Sequence, residues 1–215
     1  TPYTQTGPHP SKHLIGAAEL KKLQPGALLI NCGRGPVINN KDLLAHLQTG
    51  ADLRTVLDVW EPEPSINIEL LKRVDLASPH IAGYSFDGRV KGTQMIYSAL
   101  LNHLSRPTSS QQNKAEPSKT VLESRGENWE STVFSIVLGA YDVRRDDKAL
   151  RAAAAVAKAK AQDIGIAFDH LRKAYPKRLE FAHFEVGEYQ VPEEEQALLL
   201  DRLSALGFGL AKHNV

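Results

Sequence analysis

The stretch ALLINCGRGPVINNKDLLAHLQTGADLRTVLDVWEPEP, residues 27–64, decides the fold. It opens with a short apolar run, Ala27 to Asn31, in which Leu28, Leu29 and Ile30 read as a buried strand. The turn CGRGP follows, with Arg34 between Gly33 and Gly35. Asn39 or Asn40 is a plausible N-cap for the helical run KDLLAHLQ, and Gly50 closes it. Leu53 to Val59 is the next strand. A strand, a helix and a second strand in so few residues require a parallel pair with the helix laid on one face.

The pattern continues downstream. Asn67 to Lys72 suits one or two helical turns, and Val74 to Ala77 is a short strand running into SPHIAGY. From Ser85 to Leu104 the spacing of Val90, Thr93, Ile96, Tyr97, Leu100, Leu101 and Leu104 suits a helix. Residues 106–119, RPTSSQQNKAEPSK, are polar with two prolines and have the composition of a linker. Beyond it, Val133 to Val143 reads as a strand. Asp146 to Ala174 reads as an alanine-rich helix broken near Asp163 to Gly165. Leu179 to Val186 alternates like a half-buried strand, and Pro192 to Leu206 is amphipathic and helical, with Gly207 after its end. The expectation is an α/β protein: a partial Rossmann-like parallel sheet with helices over 1–105, a linker over 106–119, and a smaller α+β domain over 120–215.

The bulk numbers narrow the function. The chain has 215 residues, 42% hydrophobic and 24% charged, as in ordinary globular proteins. A net charge of +1 offers no field for nucleic acid or anionic membrane, and no basic-aromatic array appears. No apolar run reaches the ~18–20 residues of a membrane helix. The single cysteine, Cys32, excludes an intrachain disulfide and a C-x-x-C metal or redox pair. A reducing, cytoplasmic setting without a metal is the reading.

Ligands in open α/β sheets bind beyond the carboxyl ends of the strands. Three polar clusters fall there: Arg34 after the first strand, Asp58, Glu61 and Glu63 after the second, and His80 after the third. Such a set suits proton and hydride transfer at a carbinol carbon. A histidine takes the hydroxyl proton as hydride leaves, and a carboxylate beside it orients the ring. An arginine grips a substrate carboxylate with two hydrogen bonds. The flanking glycines would leave room for a ligand at the backbone. Each residue also has a bland reading. Arg34 could simply pair with Asp58, and His80 could be a hydrogen-bonded loop histidine. Glu61 is read as solvated charge and Cys32 as small and buried. His9, His13, His46, His103, His170, His183 and His213 are taken as surface or packing residues, and Lys158 to Lys160 as a solvated helix face.

The order N-x-x-R-G (Asn31–Gly35), D-V-x-x-x-E-P (Asp58–Pro64) and P-H-x-x-G (Pro79–Gly83) resembles the D-2-hydroxyacid dehydrogenase family. The resemblance implies an enzyme that oxidises a 2-hydroxy acid, here a small phosphorylated one, to the 2-oxo acid with NAD. It implies Arg34, Glu63 and His80 as the catalytic set. It implies cofactor contacts at Thr1, Cys32, Gly33, Arg34, Asp58 and Gly83, and substrate contacts at Arg34 and Tyr84. It also implies that residues 120–215 form a homodimer. The family's N-terminal substrate-binding part and its G-x-G-x-x-G loop have no counterpart in these residues. The chain is therefore expected to be the C-terminal portion of a longer enzyme, inactive alone, with sheet edge and apolar surface uncovered. The competing readings are a non-catalytic dimerisation or scaffold fragment and another member of the same family.

Overall fold

The computed structural model describes residues 2–106, 120–124 and 126–210. They divide into two compact units, Thr1–Ala82 with Val143–Tyr175, and Gly83–Asp142 with Pro176–Val215. This division cuts across the boundaries expected from the sequence. Residues 83–105 fall with the second unit and 143–175 with the first, while the expected linker lies outside the described residues apart from Arg106.

The first unit is built on a parallel sheet of β1 (Ala27–Asn31), β2 (Leu53–Leu57) and β3 (Leu76–Ala77), in that order. Ala27 pairs with Leu53 at one end, and Leu57 with Ala77 at the other. Helix α1 (Ala17–Leu20) precedes β1, and α2 (Asn40–Gln48) connects β1 to β2. Asn39 is its N-cap, its side chain accepting from the N–H groups of Lys41 and Asp42 at 3.1 and 3.3 Å. Asn40 is instead buried inside the first turn. Gly50, at φ 82°, supplies the left-handed residue just past the helix. Asn67 caps the short α3 (Ile68–Leu71) in the same manner.

Two later helices, α6 (Arg144–Ala159) and α7 (Gly165–Lys173), complete this core. The break between them falls at the Asp163–Gly165 stretch read from the sequence. Leu150, Ala154 and Ala157 of α6 and Phe168 of α7 are buried with Leu43, Leu57, Trp60, Leu70 and Leu71. Polar contacts fix α6 against the sheet. Asp147 accepts from the Ala77 N–H at 2.8 Å, and Arg151 donates to the carbonyls of Leu71 and Val74. These groups close the end of β3 and of α3, where backbone atoms would otherwise lack partners. β1 is the sheet edge, and it is not the buried strand its composition suggests. Leu28 and Ile30 are 61% and 55% exposed, because the core covers only the opposite face.

In the second unit, α4 (Phe86–His103) matches the expected helix, with Ser85 capping the Gly88 N–H at 3.1 Å. No residue of α4 is buried. A second parallel sheet has the order β4 (Thr120–Leu122), β5 (Phe184–Val186), β6 (Gly209–Leu210). The expected strand over 133–143 is instead a helix, α5 (Trp129–Ala140). Its β-branched and aromatic residues suggest a strand by composition. However, Trp129, Val133, Ile136, Val137 and Ala140 recur at helical spacing and face one core, and Asn128 and Ser131 cap each other at its start. The strand expected over 179–186 shrinks to Phe184–Val186, preceded by a single tight turn at Phe181–His183. Helix α8 (Glu193–Ala205) lies where expected, and its Leu199 and Leu203 join Ile136, Phe184, Val186 and Phe208.

Candidate active site

The carboxyl ends of β1, β2 and β3 carry Asn31–Val37, Asp58–Pro64 and Ser78–Ala82. All three belong to the first unit, and each is built by its neighbour. Asp58 is buried at the end of β2 and organises the third loop. Its carboxylate accepts from the Ser78 hydroxyl at 2.7 Å and from the N–H groups of Ile81 and Ala82 at 2.7 and 2.9 Å. Its own carbonyl accepts from the His80 N–H at 2.7 Å. Held this way, His80 takes a left-handed φ of 57°, an uncommon conformation for a residue with a side chain.

The His80 ring meets Glu63. Nδ1 lies 2.7 Å from Oε2, and the other carboxylate oxygen accepts from the Trp60 N–H at 2.7 Å. The Trp60 indole in turn donates to the Ser78 carbonyl at 3.1 Å. With Asp58, the second and third loops are thereby tied through three residues of the second, Asp58, Trp60 and Glu63. A carboxylate at Nδ1 selects the tautomer with the proton on that nitrogen, leaving Nε2 to exchange a proton with a ligand. Among the described residues Nε2 has no protein partner. The pair is partly buried, with 28% and 21% of the two side chains exposed. That leaves it shielded yet reachable.

Arg34 stands at the end of β1, exposed, with its guanidinium donating to the Gly33 carbonyl at 2.8 Å. It forms no ion pair with Asp58, whose oxygens are committed to the 78–82 loop. Its charge is therefore available for an anion. The two glycines beside it serve different ends. A side chain at Gly35 would overlap the Trp60 backbone, so Gly35 allows the first two loops to touch. It leaves no room for a ligand, contrary to the sequence reading. A side chain at Gly33 would meet only the Asn31 amide oxygen at 3.6 Å, so the surface there is open. Cys32 is exposed, not buried as expected. Protein packed round its sulfur, and then the Asp58 carboxylate, push its thiol up, so it stays protonated.

Open backbone at Gly33 next to the Arg34 cation, with the His80–Glu63 pair at the same carboxyl end of the sheet, suits the reactive end of a nicotinamide cofactor with its substrate. Gly83 and Tyr84 belong to the second unit. A side chain at Gly83 would meet nothing, and Tyr84 carries the Arg89 guanidinium 4.2 Å above its ring. Thr1 lies outside the described residues, as does His213. No group of three metal-ligating side chains is present among the described residues, and no helix there is long and apolar enough to cross a membrane.

Two histidines read as surface or packing residues have acidic partners. His13 Nε2 lies 2.9 and 2.8 Å from the two oxygens of Glu61, which is therefore not free solvated charge. His183 Nε2 lies 2.6 Å from Asp87 in the second unit. Neither pair is signalled locally, since 48 residues separate His13 from Glu61 and 96 separate Asp87 from His183.

Residues 6–82 match the family described as D-isomer specific 2-hydroxyacid dehydrogenase, NAD binding domain. Residues 115–207 match a family described as a domain of unknown function. Among curated proteins, the erythronate-4-phosphate dehydrogenase of Cellvibrio japonicus is 45% identical over 86% of this chain and 50% of its own length. That of Saccharophagus degradans is 40% identical over 98% of this chain and 53% of its own. That of Cronobacter sakazakii is 39% identical over 100% and 54%. The chain spans about half the length of the curated relatives it matches. By these likenesses it fits the C-terminal portion of D-2-hydroxyacid dehydrogenases of the erythronate-4-phosphate kind.

Proposed function

We propose that this chain supplies the proton-transfer half of an NAD-dependent dehydrogenase that oxidises 4-phospho-D-erythronate at C2. The product would be 2-oxo-3-hydroxy-4-phosphobutanoate, on the route to pyridoxine. The observation that carries the proposal is the 2.7 Å contact between His80 Nδ1 and Glu63, which leaves Nε2 for the substrate hydroxyl. In the forward direction His80 Nε2 takes the C2 hydroxyl proton while the C2–H bond breaks. NAD, held in part at Cys32–Arg34, would supply the hydride acceptor. Glu63 keeps the ring oriented and stabilises the imidazolium that forms. Arg34 holds the substrate carboxylate by charge-assisted hydrogen bonds, fixing C2 against the reacting groups.

Cys32, Gly33, Arg34, Asp58, Gly83 and Thr1 are assigned to the cofactor, Arg34 and Tyr84 to the substrate. Asp58 serves this role indirectly as well, by shaping the loop that bears His80. Residues 120–215 are assigned to a homodimer interface, and the working compartment is the cytoplasm. The relatives extend well beyond the matched half, and the remaining substrate and pyrophosphate contacts are assigned to that part. The 215 residues alone are then inactive. This same observation favours one second reading, a non-catalytic dimerisation fragment.

A fluorescence titration with NADH, paired with an NADH-formation assay, separates the two. A hybrid joining the N-terminal half of the Cellvibrio japonicus relative to this chain is expected to bind NADH and to oxidise 4-phospho-D-erythronate, whereas the chain alone does not turn over. A hybrid that folds and binds NADH but leaves that substrate untouched removes the substrate assignment. Screening other 2-hydroxy acids then decides whether another dehydrogenase activity replaces it.

A further inference from the structure

Glu61 and Glu63 are two residues apart and each faces a different histidine. Only the Glu63–His80 pair enters the proposed chemistry, and the present inference rests on that reading. His13 reaches Glu61 with Nε2, at 2.9 and 2.8 Å from the two carboxylate oxygens. Its own backbone is fixed at a left-handed φ of 52° by a 2.7 Å hydrogen bond from its N–H to the Pro36 carbonyl. Two more bonds continue that line. Ile15 N–H donates to Val37 at 3.1 Å, and Asn39 N–H donates to Ile15 at 2.9 Å. Residues 13–15 thus run beside the loop that carries Arg34.

Glu61 is held from a second side. Its N–H donates to the Asn40 amide oxygen at 3.0 Å, while the Asn40 amide nitrogen donates to the Ile38 carbonyl at 2.9 Å. Gly35 brings the same two loops into backbone contact at Trp60. The peptide just before Glu63 is therefore anchored to the Arg34 loop through His13, Asn40 and Gly35. Beyond it, Glu63 is anchored to Trp60 and His80.

We propose that His13, through Glu61, is a positioning residue for the proton-transfer pair, setting the 60–63 segment so that Glu63 reaches His80 on the Arg34 side of the sheet end. His13 touches neither substrate nor cofactor in this role. Its Nε2 is the nitrogen spent on the carboxylate, whereas His80 keeps that nitrogen free.

The test is imidazole NMR on the isotopically labelled 215-residue chain, without cofactor or substrate. The reporter is the hydrogen-bonded Nδ1–H of His80, assigned by its disappearance in His80→Gln. Expected are loss or an upfield move of that signal in His13→Ala and in Glu61→Met, which has no oxygen to accept from His13, and its retention in His13→Gln, whose amide can still donate to Glu61. Glu63→Gln should alter the His80 signal while leaving the His13 ring signals in place. An unchanged His80 signal in folded Glu61→Met would overturn the proposal and reduce His13–Glu61 to a local ion pair. If His13→Ala does not fold, Glu61→Met, which is close to glutamate in size, decides alone. Because no ligand is involved, failure of the dehydrogenase reading would show in the NADH and turnover assays and not here.

Discussion

The two histidine–glutamate pairs of the first unit use the same groups in opposite ways. His80 binds its glutamate through Nδ1 and keeps Nε2 outward, whereas His13 gives Nε2 to both oxygens of its glutamate. Both histidines sit at left-handed φ on loops pinned by backbone hydrogen bonds. The difference is in which atom is left over. A ring held at Nδ1 can pass a proton to a ligand, while a ring clamped at Nε2 mainly fixes its partner. The comparison shows that a histidine–carboxylate contact does not by itself mark chemistry. The free nitrogen, and what stands beside it, does.

The largest effect on stability should come from the point where the two regions touch. Gly35→Ala would drive a methyl group into the Trp60 backbone, which cannot yield without moving both loops. A loss of about 3 kcal/mol or more is expected in a denaturant melt. A near-neutral Gly35→Ala would mean that the Arg34 loop and the 60–63 segment are not packed as described.

Next comes Asp58→Asn, which tests the His80 side alone. An amide cannot accept from all of Ser78, Ile81 and Ala82, so at least one of these contacts to residue 58 is lost. The expected cost is about 1–3 kcal/mol, with the His80 Nδ1–H signal weakened and the His13 signals kept. If both sets of signals changed together, the two regions would form one cooperative unit.

The third pair, His183–Asp87, is a control from the second unit. Burial works to raise the Asp87 carboxyl, but the Glu180 N–H and His183 outweigh it and hold the group below its ordinary range. A carboxylate depressed in the folded state contributes stability above the unfolded value of about 3.9, and loses it as pH falls through the folded value. Thermal melts of wild type should therefore weaken below about pH 4, with a shallower acid slope in Asp87→Asn. Equal slopes would remove the linkage. The smallest effect belongs to Gly33→Ala. The site is open, so stability should stay within about 0.5 kcal/mol of wild type. Any loss there should appear in NADH affinity of the hybrid.

The placement of His80, Glu63 and Arg34 at one end of the sheet is readable because each follows a strand, and the carboxyl ends of parallel strands share one edge. The same logic could not reach His13, which lies on an irregular loop far from Glu61 in sequence and carries no periodic signal. Nor could it distinguish Gly33 from Gly35, because the neighbour that makes Gly35 obligatory is the Trp60 backbone, not a side chain with a recognisable pattern. The VFSIV run of α5 favours extended structure and so reads as a strand, while its caps and its face toward Phe184 and Leu199 make it a helix. Helices α6 and α7 read correctly as elements, but amphipathic spacing does not say which sheet a helix covers. Their place became clear only with Leu150 and Phe168 in the first core and Asp147 on the Ala77 N–H.

The most direct test of the proton-transfer assignment is the rate of NADH formation from 4-phospho-D-erythronate by the hybrid, comparing wild type with His80→Gln. Loss of a positioned general base predicts a fall in kcat of about 10²–10⁴-fold with NADH affinity kept. A His80→Gln hybrid that turns over at the wild-type rate would contradict the account.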